Sequence, residues 1–147
     1  MYLRCTDGVA EFDLATQRFK TLLQGNVDAI YFNEKLYIGK REEVFVYNES
    51  TGNFDLFYHL AGKNITLSCL HLDKNKNLWL GTTSNGIYCL SEDKNLSRPV
   101  TKGNITSIYE DSSNELWIGS WEEGLYRVKT DGSIENLRHN PMNTNSV

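Results

Sequence analysis

The stretch NLWLGTTSNGIYCL, residues 77–90, returns in closely similar form as ELWIGSWEEGLYRV, residues 115–128. Both copies contain Leu, Trp, an aliphatic residue and Gly, followed by a polar loop and then Gly, an aliphatic residue and Tyr. Similarity at a fixed spacing of about 20–50 residues is typical of proteins built from tandem structural repeats. The repeat therefore decides the fold before any other pattern.

Two looser copies extend the repeat toward the amino terminus. MYLRCTDGVAEF begins at residue 1 and LYIGKREEVFVY at residue 36, so repeat units start near residues 1, 36, 78 and 116. A further apolar segment precedes each of the last three copies: NVDAIYFN, NITLSCLHLD and NITSIYED. Short runs rich in Ile, Leu, Tyr and Trp, separated by Asn, Asp and Gly, predict β-strands.

Each unit is predicted to contain four short strands, named a, b, c and d in chain order. Strand a is the segment upstream of each copy, b holds the Leu-Trp motif, c follows the polar loop and d follows the next turn. Four-stranded antiparallel sheets in tandem, at about 40 residues per unit, are typical of β-propeller blades. The predicted fold class is therefore all-β, with residues 1–147 forming one β-propeller fragment of about four repeats.

The propeller is expected to be incomplete. The first unit has no strand a of its own, and the segment TNSV (144–147) resembles the beginning of another strand a. Closed propellers have about four to eight blades. Pairing of TNSV with the first sheet would close a ring of four, but so short a segment favours an open arc or the association of several chains.

A helix is the alternative for residues 9–24, VAEFDLATQRFKTLLQ, because their apolar residues also fit a helical spacing. The repeat favours strands instead. FDLATQRF (12–19) aligns with YNESTGNF (47–54), in which Thr-Gly-Asn favours a turn. We therefore predict a hairpin between strands c and d in both units.

The repeated Trp and Gly positions have a packing explanation. A blade buries both faces of its sheet against neighbouring blades, so Trp79 and Trp117 are expected at equivalent, largely buried positions. Gly81 and Gly119 are expected where backbones or blades approach closely.

Charge and composition exclude several classes of partner. The chain has 15 Lys and Arg against 19 Asp and Glu, a net charge of −4, and no basic cluster that would favour a nucleic-acid partner. No apolar run reaches the about 18 residues of a membrane-spanning helix, so no direct membrane contact is expected in this segment. Cys5, Cys69 and Cys89 are odd in number and lie in apolar strand patterns, which predicts buried free thiols.

No catalytic residue, metal site or cofactor is predicted. His59, His71 and His139 lie in different repeats, and none has a Ser or Cys nucleophile beside it in sequence. DKNKN (73–77) places oxygen-bearing side chains at alternate positions, as a calcium loop does, but it lacks the Gly at position six and the distal Glu. A tight turn between strands a and b explains it better.

The loops between strands b and c are the candidate binding positions. In a propeller they emerge on the same face as the d–a connections, and binding residues concentrate on loops held by a rigid scaffold. These b–c loops are residues 5–7, 40–43, 82–85 and 120–123. Trp121 is an aromatic residue in a polar loop, so its ring could stack on the face of a sugar, with Arg41, Glu122 and Asn85 binding hydroxyl groups. The alternative is that Trp121 packs on an adjacent blade or domain.

The motif D-x-x-x-x-L-W-[IL]-G-[TS] followed by G-[IL]-Y resembles the two-component regulator propeller repeat. The residues that carry the resemblance are Asp73, Trp79, Gly81 and Tyr88 in one unit and Asp111, Trp117, Gly119 and Tyr126 in the next. The tail RHNPMNTNSV (138–147) is similar to the segment between blades in that family, with Asn140 where Asp is usual. The first unit departs from the pattern, with Tyr2 and Arg4 at the Trp and Gly positions, and the second has Tyr37.

This resemblance implies a ligand-sensing module in the periplasmic sensor region of a bacterial hybrid two-component system. Its partners would be the rest of the propeller and the sensor kinase chain, and its ligands oligosaccharides released by polysaccharide breakdown. Two alternatives stay open: a scaffold for protein–protein interaction or a homodimer without a small ligand, and a propeller enzyme such as a lyase or glycosidase. The missing acid/base cluster weighs against the enzyme.

Overall fold

The computed structural model describes residues 1–60 and 65–138, and these residues form strands and turns without a helix. The strands are β1 (Tyr2–Cys5), β2 (Gly8–Asp13), β3 (Arg18–Gln24), β4 (Ala29–Asn33), β5 (Lys35–Lys40), β6 (Glu43–Asn48), β7 (Asn53–His59), β8 (Leu67–Leu72), β9 (Leu78–Thr82), β10 (Ile87–Leu90), β11 (Ile105–Glu110), β12 (Leu116–Ser120), β13 (Gly124–Val128) and β14 (Ile134–Leu137). The all-β prediction is confirmed, and residues 9–24 form two strands rather than a helix. Nowhere in these residues is there a helix with the length and apolar character that crossing a bilayer requires.

The described strands form four sheets, one for each predicted repeat. Their orders are β1-β2-β3, β4-β5-β6-β7, β8-β9-β10 and β11-β12-β13-β14. The first sheet lacks strand a among the described residues, as the sequence predicts. The chain divides into two compact units, Met1–Leu70 and His71–Val147. The segment TNSV, whose pairing with the first sheet would close a ring of four, lies outside the described residues.

The third sheet differs from the prediction because it has no regular strand d. The chain after β10 runs irregularly beside that strand, where the Ser97 N–H donates to the Cys89 carbonyl at 2.8 Å and the Val100 N–H donates to the Ile87 carbonyl at 2.7 Å. Between these two bonds lies Pro99, which has no N–H to donate. The Cys89 N–H donates to the Ser97 hydroxyl at 2.9 Å. A proline and a side-chain bond therefore interrupt the ladder that strand d would form.

Strand pairing confirms the alignment of the repeats. Ile30 lies opposite Ile38 in the second sheet, and Ile108 lies opposite Ile118 in the fourth. The apolar residues at or just before the start of each strand a are also buried: Val27, Leu67 and Ile105. The repeated sequence positions therefore occupy repeated structural positions.

The c–d hairpins of the first two sheets have the same construction. The Oδ1 atoms of Asp13 and Asn48 each accept hydrogen bonds from the backbone N–H groups two and three residues further on. Such side-chain bonds stabilise tight turns. Four residues after each of them, Gln17 and Gly52 both have positive φ, at 55° and 72°. The predicted hairpins are confirmed.

The a–b turns of the third and fourth sheets also share one construction. The Oδ1 atoms of Asp73 and Asp111 accept the backbone N–H four residues further on, at 2.8 and 3.0 Å, which confirms the predicted turn at residues 73–77. Trp79 is buried and Trp117 is partly buried, so the two rings occupy equivalent, largely buried positions as expected. The Arg127 guanidinium, 5.1 Å from the ring centroid, covers the Trp117 ring and leaves part of it open to water.

Two glycines lie where chain segments approach closely. A Cβ atom at Gly119 would lie 2.6 Å from the Oγ atom of Ser107, which confirms the close approach predicted for that position. Gly86, just before β10, has a φ of 76°, and a Cβ there would lie 1.9 Å from the Thr101 carbonyl oxygen. Only a residue without a side chain fits both the left-handed backbone and this contact.

Each unit has its own apolar core. In the first unit Val9, Val27, Leu36 and Ile38 form a buried cluster. In the second unit the buried aliphatic residues include Leu78, Leu80, Ile87, Leu90, Leu116 and Ile118. Full burial of such a side chain stabilises the folded chain by about 1.5–3 kcal/mol. These residues therefore stabilise the sheets that carry the loops.

Candidate ligand-binding face

Two b–c loops and one d–a segment come together in the second unit. The Trp121 N–H donates to the Asn104 carbonyl at 2.9 Å, and the Gly86 N–H donates to the Gly103 carbonyl at 2.9 Å. Asn85 pairs with Gly103 in an isolated parallel bridge. Residues 82–86, 103–104 and 120–123 therefore lie side by side, as predicted for these loops, and are called the loop face below.

Trp121 is the most exposed large apolar side chain on the loop face. It is 80% exposed, although its backbone is held by the bond to Asn104. The ring therefore does not pack on an adjacent blade among the described residues. Glu122 beside it is also exposed, whereas Glu123 forms an ion pair with Arg138. The structure thus leaves one large aromatic surface and one carboxylate open to water at the tip of this loop.

Asn85 belongs to a loop that is fixed from within. The buried Thr82 accepts the Asn85 N–H at 2.9 Å through its Oγ1 atom and donates the same hydroxyl to the Gly86 carbonyl at 2.7 Å. The Ser84 hydroxyl donates to the Oδ1 atom of Asn85 at 2.8 Å. The exposed Asn85 side chain therefore keeps its amide N–H₂ group available to a ligand.

Arg41 occupies the loop position of the second sheet that corresponds to Trp121, and it lies in the first unit. Its backbone N–H donates to the carboxylate of Asp28, and its φ is 54°. The Arg41 carbonyl accepts the Leu67 N–H at 2.9 Å. The exposed side chain is thus carried by an anchored backbone. The structure brings Asn85, Trp121 and Glu122 into one unit and describes Arg41 in the other.

The histidines have different surroundings. His59 is exposed, 3.5 Å from Glu42, and His139 lies outside the described residues. His71 lies inside the second unit, 3.7 Å from Glu110. Burial lowers the pKa of His71, and the charges of Glu110 and Asp73 partly oppose that effect. Sequence reasoning missed this contact because it joins residues of two different sheets.

The cysteines do not all have the predicted packing role. Cys5 is exposed, because it ends β1, so the prediction of a buried thiol was wrong for this residue. Cys69 and Cys89 are half-buried, and all three are free thiols. Burial, together with the charge of Asp73, raises the pKa of the Cys89 thiol to about 11. Cys89 therefore lacks the lowered pKa of a reactive nucleophile.

Solved structures with a similar fold include extracellular domains and lyases. The extracellular domain of BT4673 from B. thetaiotaomicron, described as a hybrid two component system, matches with a TM-score of 0.76 and 19% identity over 99% of this chain and 22% of that one. The extracellular domain of the hybrid two component system BT3049 from the same organism matches with a TM-score of 0.73 and 23% identity over 96% of this chain and 20% of that one. The chain thus spans about a fifth of the length of each. No curated protein is significantly similar in sequence.

Virginiamycin B lyase from Staphylococcus aureus shares the fold as well. Its TM-score is 0.72 at 13% identity, over 92% of this chain and 50% of that one. At such low identity the similarity shows the fold and says nothing about the chemistry of this chain.

The stacked sheets and the loops at one end of their strands define a segment of a β-propeller. Residues 59–84 and 99–122, together about a third of the chain, match the family model described as Two component regulator propeller. These two segments are therefore similar to two-component regulator propeller repeats, as the Asp-Leu-Trp-Gly motif predicted. The matched family is one of regulator propellers rather than of enzymes.

Proposed function

We propose that this chain is a non-enzymatic ligand-sensing module of a hybrid two-component system, which binds oligosaccharides from polysaccharide breakdown on its loop face. The observation that carries the proposal is the exposure of Trp121, 80%, on a loop whose backbone is fixed. A large apolar ring open to water at a fixed position has an unfavourable hydration that a stacked sugar ring relieves. Trp contributes such contact area at a low cost in conformational entropy.

Polar groups around Trp121 suit a hydroxylated ligand. The Asn85 amide offers donors, and the exposed Glu122 carboxylate accepts hydrogen bonds. We propose Arg41 as a further donor from the equivalent loop of the second sheet. A sugar presents an apolar face and a rim of hydroxyls, so an aromatic ring beside polar side chains matches its chemistry.

Signalling follows from differential binding. A ligand shifts a receptor between two states only by as much as its affinity for those states differs. The partners in this proposal are the remainder of the propeller and the sensor kinase chain, with the module on the periplasmic side of the membrane. The similarity of fold to extracellular domains of two-component systems supports this arrangement.

A binding screen on the whole extracytoplasmic region tests the proposal. Isothermal titration with panels of oligosaccharides, released from several plant and host polysaccharides, is expected to identify one chemical family that binds. The control ligand is the corresponding monosaccharide, which is too small to contact several loops at once and is therefore expected to bind more weakly. Failure of every oligosaccharide to bind, with a folded protein, would contradict the proposal.

A protein-interaction scaffold is the second candidate. It is favoured by the c–d hairpin of the first sheet, where Leu14 is 72% exposed and Phe19 is 66% exposed. Clustered exposed apolar side chains often mark protein contacts. A homodimer through this hairpin would be disrupted by Leu14→Ser together with Phe19→Ser, which analytical ultracentrifugation detects.

A further inference from the structure

A cleft lies in the second unit at the opposite end of the strands from the loop face. It is formed by the a–b turns of the third and fourth sheets and the c–d turn of the fourth, and has a volume of about 470 Å³. We call it the 3/4 cleft, and six of its lining residues are Trp79, Asn114, Leu116, Val128, Lys129 and Thr130. Leu116, which lines the cleft, is the first residue of β12, and Trp121 of the loop face follows the last residue of that strand. The cleft and the loop face therefore lie at opposite ends of β12.

The same cleft recurs in the first unit. There the first two sheets enclose about 390 Å³, which we call the 1/2 cleft. The six corresponding repeat positions line it: Tyr2, Glu34, Leu36, Tyr47, Asn48 and Glu49. Glu34 and Asn114 also share a left-handed backbone, with φ of 56° and 63°. Both clefts therefore arise from the same repeated backbone, and the side chains that line each cleft determine what it binds.

The two clefts differ in chemistry at equivalent positions. Glu34 and Glu49 in the 1/2 cleft correspond to Asn114 and Thr130 in the 3/4 cleft, which removes two carboxylates. Asn48 corresponds to Lys129, whose ammonium lies 3.7 Å from the Glu135 carboxylate. At the positions of Asn114 and Thr130 the 3/4 cleft therefore offers an amide and a hydroxyl where the 1/2 cleft offers two acids.

The two carboxylates that line the 3/4 cleft are already engaged. Asp73 accepts the Trp79 indole N–H at 2.9 Å and the Asn77 side-chain amide at 3.0 Å. Glu110 accepts the Lys74 backbone N–H at 3.2 Å and lies 3.7 Å from His71. Both carboxylates are therefore held by hydrogen bonds within the protein.

Other polar side chains of the 3/4 cleft are uncommitted. Those of Asn75, Asn114 and Lys74 make no hydrogen bond or ion pair with another described residue, while Leu116 and Val128 give the cleft an apolar floor. An apolar floor with a few converging polar groups, in a volume of a few hundred Å³, is typical of a small-molecule site.

We infer that the 3/4 cleft binds a single sugar acid, a hydroxylated ring that carries one carboxylate. Its hydroxyls pair with the amides of Asn75 and Asn114, which both donate and accept. Its carboxylate pairs with the Lys74 ammonium, and its C–H face covers Leu116 and Val128. This site is separate from the loop face and does not depend on the function proposed for it.

Ligand-observed NMR titration with D-glucuronate and D-glucose tests the site, because the two differ only at one carbon. Glucuronate is expected to bind about three- to fivefold more tightly, as an exposed ion pair allows. Lys74→Gln is expected to abolish that difference. Asn114→Gly, which keeps the positive φ, is expected to weaken both ligands about fivefold through the lost amide bonds.

Two matched variants serve as controls. Glu34→Gly makes the same kind of change at the equivalent position of the 1/2 cleft, and Asp93→Ala removes an exposed carboxylate outside both clefts; both are expected to leave glucuronate affinity unchanged. Melting temperatures of all variants report folding separately. The inference is overturned if neither sugar binds saturably, if Asn114→Gly binds as well as the unmodified chain, or if either control variant abolishes binding.

Discussion

The indole Nε1 atom of Trp79 donates a hydrogen bond to the Oδ2 atom of Asp73 at 2.9 Å, and Trp117 makes the same contact with Asp111 at 2.8 Å. Each aspartate also accepts backbone N–H groups of its own turn. One carboxylate thus closes the a–b hairpin and satisfies the indole of the following strand. The constant six-residue spacing between Asp and Trp in the repeat follows from this double role.

Removal of the Asp73 carboxylate is expected to destabilise the chain by about 1.5–3 kcal/mol, because the buried indole N–H loses a charged partner. Urea unfolding of Asp73→Ala measures this. A double-mutant cycle with Trp79→Phe is expected to show coupling between the two residues, and the exposed Asp93→Ala is the control. Additive effects of Asp73→Ala and Trp79→Phe would contradict the account.

The same contacts predict acid sensitivity. The Trp117 indole bond, followed by the backbone N–H of Glu115, lowers the pKa of Asp111, and the backbone N–H of Ala15 is the main cause of the lowered pKa of Asp13. An aspartate whose pKa is lower in the folded state stabilises the fold at any pH above its pKa in the unfolded chain, about 3.9. This stabilisation is lost as the pH falls through the pKa of the folded state. The free energy of unfolding should therefore decrease below about pH 4. Asp111→Asn should flatten this decrease; an unchanged pH profile would contradict the assignment.

The c–d turns predict a stabilising substitution. Gln17 has a φ of 55° at the position where the second sheet has Gly52. A left-handed backbone conformation costs a residue with a Cβ about 1–2 kcal/mol, and glycine avoids this cost. Glycine also gives the unfolded chain more conformational freedom, which cancels part of the gain in stability. Gln17→Gly is therefore expected to stabilise the chain by about 0.5–1 kcal/mol. Gly52→Ala should have the opposite effect, and thermal unfolding of both variants gives the comparison; destabilisation by Gln17→Gly would show that its side chain matters more than its backbone.

Cys89 is expected to react slowly with alkylating reagents. A pKa of about 11 instead of 9.0 lowers the fraction of Cys89 present as thiolate about a hundredfold at pH 8. A thiolate of higher pKa is also about tenfold more nucleophilic, so the alkylation rate should fall only about tenfold. Mass spectrometry after iodoacetamide pulses at pH 8 measures each cysteine in the same sample. Exposed Cys5 should be modified first. Modification of Cys89 before Cys5 in the native chain would contradict the burial described.

The repeat pattern was enough to predict the strands, the hairpins and the position of the loop face. It missed the irregular path beside β10, because Pro99 and the Ser97 side chain act through individual bonds rather than through apolar periodicity. It also missed the contact of His71 with Glu110, because that contact depends on how two sheets stack.

The exposure of single residues was harder to predict than the fold. Cys5 follows an apolar strand pattern but ends its strand in water. For Trp121, sequence alone did not decide between stacking on a ligand and packing on a neighbour. The 3/4 cleft is assembled from three turns that are far apart in sequence, so no local motif indicated it.

The central claim is that Trp121 binds ligand without supporting the fold. Trp121→Ala should reduce affinity for the oligosaccharide found by the binding screen by about 1–3 kcal/mol, because a large stacked surface is lost. The free energy of unfolding should change by less than about 0.5 kcal/mol, as is usual for an exposed side chain. The decisive measurement is titration of that oligosaccharide into Trp121→Ala and the unmodified protein, with melting temperatures taken on the same samples. The account predicts weaker binding at an unchanged melting temperature; unchanged binding with a lower melting temperature or altered assembly would contradict it.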